Sequence, residues 1–127
     1  MTDITERVVQ PRRSFIFAPG LRPELFPKAL ASGADIVCIE LEDGVAPKDK
    51  DEARESALGL FAIPQDDDGI ERMVRINCLR SAFGLADVQA ILSIDTPPPA
   101  LMLPKVMAPD EVVWLDNSNF TIQLRVV

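Results

Sequence analysis

The chain reads as an α/β domain built on a parallel sheet. Three observations carry that reading. Apolar, β-branched runs alternate with helical runs along the chain, and the connections between them are short. Alternation of this kind calls for parallel strands joined by right-handed crossovers. The third observation is the run over residues 35–45, which reads as a strand stopping at two adjacent carboxylates, Glu42 and Asp43, followed by Gly44. Ile36, Val37, Ile39 and Leu41 are apolar, as a strand covered on both faces requires. Parallel α/β folds bind ligands just outside the carboxyl ends of their strands. Acids at that edge bind a hard cation, accept hydrogen bonds from a substrate or orient a neighbouring base. The plain alternative is a solvated loop acid or a charge at a helix N-terminus.

The elements follow in order. Residues 13–18 read as a first strand, closed by the turn Pro19-Gly20. Residues 23–32 are helical in composition, and Gly33 suits the left-handed position after a helix end. After the acidic strand, residues 47–61 form a second helix. Pro47 stands early in it, Asp49, Asp51 and Glu52 lie near its positive end, and Ala53, Ala57, Leu58 and Phe61 share a face. Residues 72–77 are a third strand. Residues 84–93 are a helix with Leu85, Val88, Ile91 and Leu92 on its apolar side. Residues 100–106 are a fourth strand, 109–115 a short helix and 120–127 a fifth strand. The least ordered stretches are expected at residues 1–10, 64–69 and 96–99, and residues 1–12 are read as a flexible leading segment.

Composition narrows the chemistry. With 127 residues, 47% hydrophobic, the chain supports one modest core. The net charge of −7 and low aromatic content argue against a nucleic-acid surface. No apolar run approaches the roughly 20 residues of a membrane span, and no signal-peptide pattern opens the chain. Cys38 and Cys78 lack close Cys or His neighbours, so they read as free thiols in a reducing compartment, the cytoplasm. The chain has no His and no Tyr. A Ser-His or Cys-His nucleophile is excluded within it, and a zinc site is disfavoured. Pro19-Gly20 has no phosphate-loop continuation. Chemistry therefore falls to carboxylates, Arg, Lys, backbone amides and a magnesium-like cation.

The strand ends carry such groups. Arg75, near the end of the third strand, can grip a carboxylate with two parallel hydrogen bonds. It can equally pair with a nearby acid such as Glu42 or Asp43. Lys105, after Pro104 in the fourth strand, can meet a phosphate, a carboxylate or the acidic pair. Arg22 and Lys28 near the first loop read as solvated.

An ordered set of motifs now stands out: Arg13-Ser14, Phe17, Pro19-Gly20; Arg22-Pro23-Glu24, Lys28-Ala29, Ser32-Gly33-Ala34-Asp35; Leu41-Glu42-Asp43-Gly44-Val45-Ala46-Pro47, Lys50, Ala53-Arg54; Val74-Arg75-Ile76-Asn77; and Leu103-Pro104-Lys105-Val106. Together these resemble the citrate lyase β-subunit-like branch of the HpcH/HpaI aldolase superfamily. The resemblance implies a TIM barrel that cleaves or forms a carbon–carbon bond in a 3-hydroxyacyl thioester of the malyl-, citramalyl- or citryl-CoA type, or of an acyl carrier. Related members hydrolyse such thioesters. It also implies Mg²⁺ and assembly as a homotrimer or hexamer. By the same resemblance, Arg75 matches the arginine that binds the keto-acid carboxylate. Glu42 and Asp43 match the catalytic acidic pair beside the metal, and Lys105 matches a substrate-side lysine. Leu21 departs from the family, where many relatives carry Asn.

A TIM barrel needs about 250 residues. The resemblance places the direct metal ligands on the fifth and sixth strands, beyond Val127. Residues 13–127 are accordingly expected to be the first part of a barrel, about five strands and four helices, ending within the fifth strand and inactive alone. Cut from a barrel, residues such as Ile16, Val37, Ile39, Val74 and Met102 would lose packing partners. Two alternatives stand beside this reading: a non-catalytic half-barrel interaction module, and a complete doubly wound receiver-like domain.

Overall fold

The computed structural model describes residues 10–117 and 125–126. Five strands form one sheet: β1 (Phe15–Pro19), β2 (Ile36–Glu40), β3 (Glu71–Arg75), β4 (Ala100–Met102) and β5 (Arg125–Val126). Every neighbouring pair is parallel, and the order across the sheet equals the order along the chain. Four helices connect them: α1 (Phe26–Leu30), α2 (Lys50–Gly59), α3 (Ala82–Ser93) and α4 (Pro109–Asn117). Parallel strands laid down in sequence order are the wall of a (β/α)₈ barrel. A receiver-like sheet instead places its first strand between its second and third. The receiver alternative is therefore overturned by strand order. The rest of the fifth strand expected over residues 120–127 lies outside the described residues, as do residues 1–9 of the leading segment.

Crossovers of one hand between adjacent strands put the helices on one face of the sheet. Strand residues alternate between the two faces. Val37, Ile39, Val74 and Leu101 join Ala53, Ala57, Leu58, Phe61, Val88 and Ile91 in the main core. Ile36, Cys38, Met73 and Ala100 form a smaller cluster, with Met102 against it. The expectation that Val37, Ile39 and Val74 face an open interior is thus corrected: they lie under the helices and are at most 1% exposed. The alternate residues point the other way, where Ile36, Cys38, Met73 and Ala100 are at most 8% exposed and the open part is at β1. There Phe15 and Phe17 meet edge to face at 4.9 Å and stay 39% and 43% exposed. Cys38 lies in this second cluster, and burial, aided by the charge of Glu40, pushes its thiol up to about 12.

Several boundaries differ from expectation for local reasons. The first helix is short because residues 23–25 make a 3₁₀ turn before α1 begins. Pro47 likewise starts a 3₁₀ turn, and α2 begins at Lys50; the predicted face of Ala53, Ala57, Leu58 and Phe61 is buried as expected. In α3, Ser81 is the N-cap, its hydroxyl accepting from the Gly84 amide at 3.1 Å. The buried side of α3 is Gly84, Asp87, Val88 and Ile91, whereas Leu85 and Leu92 are about half exposed. Gly84 sits so close to the preceding loop that a Cβ there would lie 2.0 Å from the Cys78 carbonyl oxygen. β4 stops at Met102, because Pro104 cannot donate to the ladder and Lys105 turns to φ +51°. Lys105 is therefore a loop residue and not part of the strand. Residues 64–69 are tied to the sheet by Gln65 and Asp68, which both bind Arg72.

Candidate active site

The site is assembled at the carboxyl ends of β2, β3 and β4. Glu40 is the last residue of β2. Its carbonyl accepts from the Gly20 amide at 3.1 Å, and a Cβ on Gly20 would come within 2.7 Å of that oxygen. Only glycine lets the β1 turn lie so close. The Leu41 amide still reaches across to the Arg75 carbonyl at 3.0 Å. The chain then turns away from the sheet. The Glu42 amide donates to Glu40 Oε1 at 2.6 Å, and the Val45 amide donates to the Glu42 carbonyl at 3.1 Å. Lys50, at the start of α2, donates from Nζ to the carbonyls of Leu41 at 3.1 Å and Glu42 at 2.6 Å. This turn buries Glu42 and leaves Asp43 on the outside.

Arg75 ends β3, directly opposite Glu40 in the sheet register. Its Nε donates to Glu40 Oε1 at 3.0 Å and its Nη2 to Glu40 Oε2, a bidentate fork. Glu42 Oε1 stands 3.8 Å from Arg75 Nε. The Phe17 ring lies under the guanidinium, 4.6 Å from centroid to Cζ. The hydrogen bond to Glu40 is the main reason the Arg75 pKa rises above its ordinary value. The main partner is therefore Glu40, which the sequence did not suggest, while Glu42, one of the two expected acids, makes a second and longer ion pair. The register decides this, because it puts the two side chains at the same height on the same face.

Lys105 reaches back across the rim. Its Nζ donates to Glu42 Oε2 and, at 2.9 Å, to Asp43 Oδ1. Its ammonium pKa is raised by the hydrogen bond to Glu42 and then by that to Asp43. The Asp43 carboxyl is held below its ordinary value, chiefly by Lys105 and next by Glu42. The backbone that presents Lys105 is left-handed, a costly conformation for a residue with a Cβ. Arg80 supports it by donating to the Lys105 carbonyl at 2.7 Å, and Arg80 in turn lies 3.6 Å from Glu111.

Behind the rim is a buried polar link. Asp87 on α3 is fully buried and accepts from the Asn77 amide at 2.8 Å, from Asn77 Nδ2 at 2.7 Å and from Arg54 Nε at 2.7 Å. It fixes the chain just past Arg75 to both α2 and α3. Arg22 pairs locally with Glu24 and, with the exposed Lys28, takes no part in the rim.

Glu42, Asp43, Arg75 and Lys105 thus share one rim. Sequence reasoning missed Glu40, Lys50 and Asp87. Asp87 carried a signal, an acid on the inward side of α3, next to Val88 and one turn before Ile91. Lys50 was visible only as a member of a motif, and Glu40 only within the run over residues 35–45. Three carboxylates here share Arg75 and Lys105, with the Lys50 ammonium behind the same turn. An oxygen-only donor set suits a hard cation. Among the described residues, however, no three His, Cys, Asp or Glu side chains come together to hold a metal ion. Glu42 and Asp43 fit the lesser task of binding a cation's water ligands.

Residues 13–124 match the family model for HpcH/HpaI aldolase/citrate lyase. Among curated proteins, the chain is 34% identical over 117 residues to the mitochondrial citramalyl-CoA lyase of Rattus norvegicus, covering 91% of this chain and 33% of that protein. It is 39% identical over 113 residues to an L-malyl-CoA/beta-methylmalyl-CoA lyase of Cereibacter sphaeroides, covering 84% and 34%. Among solved structures, CitE of Mycobacterium tuberculosis in complex with magnesium, acetoacetate and coenzyme A superposes with a TM-score of 0.67. The identity is 32%, over 91% of this chain and 40% of that one. The chain spans about a third of the length of these curated relatives.

Proposed function

The chain belongs to the HpcH/HpaI aldolase/citrate lyase family, and from that premise we propose that it is part of a Mg²⁺-dependent carbon–carbon lyase. The substrate is a 3-hydroxyacyl thioester of the malyl-, citramalyl- or citryl-CoA type. The observation that carries this reading is the rim, where an oriented arginine stands beside a cluster of three carboxylates. Glu40 and Phe17 hold the Arg75 guanidinium flat. Among the described residues its hydrogen bonds use Nε and Nη2, which leaves the Nη1 edge for the carboxylate of the keto-acid half.

Cleavage moves the electron pair of the broken bond onto one product as an enolate; the 3-hydroxyl loses its proton to a base and becomes the carbonyl of the other product, and the enolate takes up a proton in turn. A bound Mg²⁺ would supply positive charge to the oxygens that become negative. Its direct ligands would come from outside the described residues. Glu42 and Asp43 would hold its water ligands, and Lys105 keeps both acids in place. Residues 1–127 by themselves are expected to give only background turnover, since they span a third of the relatives' length. We place the whole protein in the cytoplasm as a trimer or hexamer; the two free cysteines suit a reducing compartment.

The test is turnover by the full-length protein on the three thioesters, with Mg²⁺, after chelation and after Mg²⁺ is restored. Cleavage that follows the metal supports the reading; no cleavage of any of the three with Mg²⁺ present rejects it. The exposed Phe15 and Phe17 favour one second reading, a non-catalytic half-barrel that recruits whatever covers that face. It requires the same assay to stay at background.

A further inference from the structure

We infer that Lys50 is a positioning residue for the acid-bearing turn of this site, and the inference rests on the lyase reading. Lys50 is 8% exposed, an uncommon place for an ammonium without a carboxylate partner. None of the ion pairs among the described residues includes it. Its donors go to the carbonyls of Leu41 and Glu42. Its Nζ also lies 5.8 Å from the Phe83 ring centroid on α3.

The position is electrostatically awkward for a helix. Lys50 is the first residue of α2, where the helix dipole is positive and a cation is unfavourable. A lysine that only served the helix would be better replaced by an acid. The ammonium is matched to the turn instead. The Glu42 amide is held by the Glu40 carboxylate and the Glu42 carbonyl by Lys50. Both polar groups of that peptide segment are therefore fixed by side chains, and the Glu42 carboxylate is aimed at Lys105. Removing the ammonium leaves the buried Leu41 and Glu42 carbonyls without their charged donor, so the turn relaxes and the two acids move relative to Arg75.

Lys50→Met keeps the length of the stem and removes the charge; Lys50→Gln is a second, smaller polar replacement in case the first does not fold. In the full-length enzyme, we expect kcat to fall about 10- to 100-fold, the usual cost of losing an outer support of a site. KM for the thioester should stay within about twofold. Lys50→Arg, which keeps the charge, should recover part of the loss. Hydrogen exchange supplies a readout that needs no turnover: amides over residues 41–46 should exchange faster, while those of β3 and α3 hold their wild-type rates. Unchanged kcat in a folded variant, or exchange rising equally across the domain, would overturn the assignment. If the wild-type protein cleaves no thioester, the lyase reading fails on that result alone. The exchange pattern then still decides whether Lys50 clamps this turn.

Discussion

At the amino ends of the strands, Arg12 forks onto Glu71 with hydrogen bonds of 2.6 and 2.7 Å, Arg13 donates to Asp35, and Arg72 forks onto Asp68. Three cations there meet three acids. At the carboxyl ends, Glu40, Glu42 and Asp43 share Arg75 and Lys105. One end of the sheet is neutralised pair by pair, fastening loops and termini to strands. The other pools its charges: Arg75 on β3 and Lys105 on the loop after β4 are shared among the three acids, with the Lys50 ammonium under the same turn. Pooled, half-buried charge does little to help a chain fold. Its presence at one rim only is what an active end and a structural end of one barrel wall would show.

This contrast predicts that substitutions at the rim change turnover and substitutions at the foot change stability. The largest effect is expected from Arg75→Lys in the full-length enzyme. A lysine cannot make the planar fork, so kcat/KM should fall about 100-fold or more, with little change in the melting temperature. Wild-type kinetics in that variant would break the contrast at its centre. Glu42→Gln comes next: it leaves Asp43 as the one charged partner of Lys105 at the rim and should lower kcat roughly 10-fold or more while the protein stays folded. Steady-state assays on malyl-, citramalyl- and citryl-CoA read both.

At the foot, Arg72→Met should leave kcat unchanged and cost about 1–2 kcal/mol in chemical denaturation. The figure is discounted because Asp68 is open to solvent and can rehydrate. The smallest effect is the pH dependence of the same pair. Asp68 is held at about 2, mainly by its hydrogen bonds with Arg72, against 3.8 for a free side chain. A depressed folded-state pKa stabilises the protein above the unfolded value, and the contribution is lost as pH falls through the folded one. The stability gap between wild type and Asp68→Asn should therefore be flat above about pH 4 and close towards pH 2. A gap that widened on acidification would contradict the pairing.

Much of the fold was legible because alternation and apolar spacing respond directly to burial. The inward face of α2 and the parallel alternation were read from sequence and stand in the structure. The rim was legible for a simpler reason: residues after parallel strands converge at one end wherever the strands sit. What escaped depends on register and on three-dimensional company. Glu40 meets Arg75 only when β2 and β3 are aligned residue by residue. The faces of Val37, Ile39 and Val74 follow from which side receives the helices. Leu85 and Leu92 had the spacing of a buried face, but Asp87 is drawn inward by Asn77 and Arg54 and turns the helix accordingly. Pro104 ended β4 early enough to change the role of Lys105 from strand residue to loop residue.

The two cysteines divide in a way that is useful at the bench. Cys38 has no exposed surface and a thiol pushed up to about 12, so alkylating dyes at neutral pH should pass it by. Cys78 is half-buried on the loop between Asn77 and Arg80, beside the rim. A fluorophore can therefore be attached at Cys78 without removing any native cysteine, and its emission would report on that loop as ligand arrives.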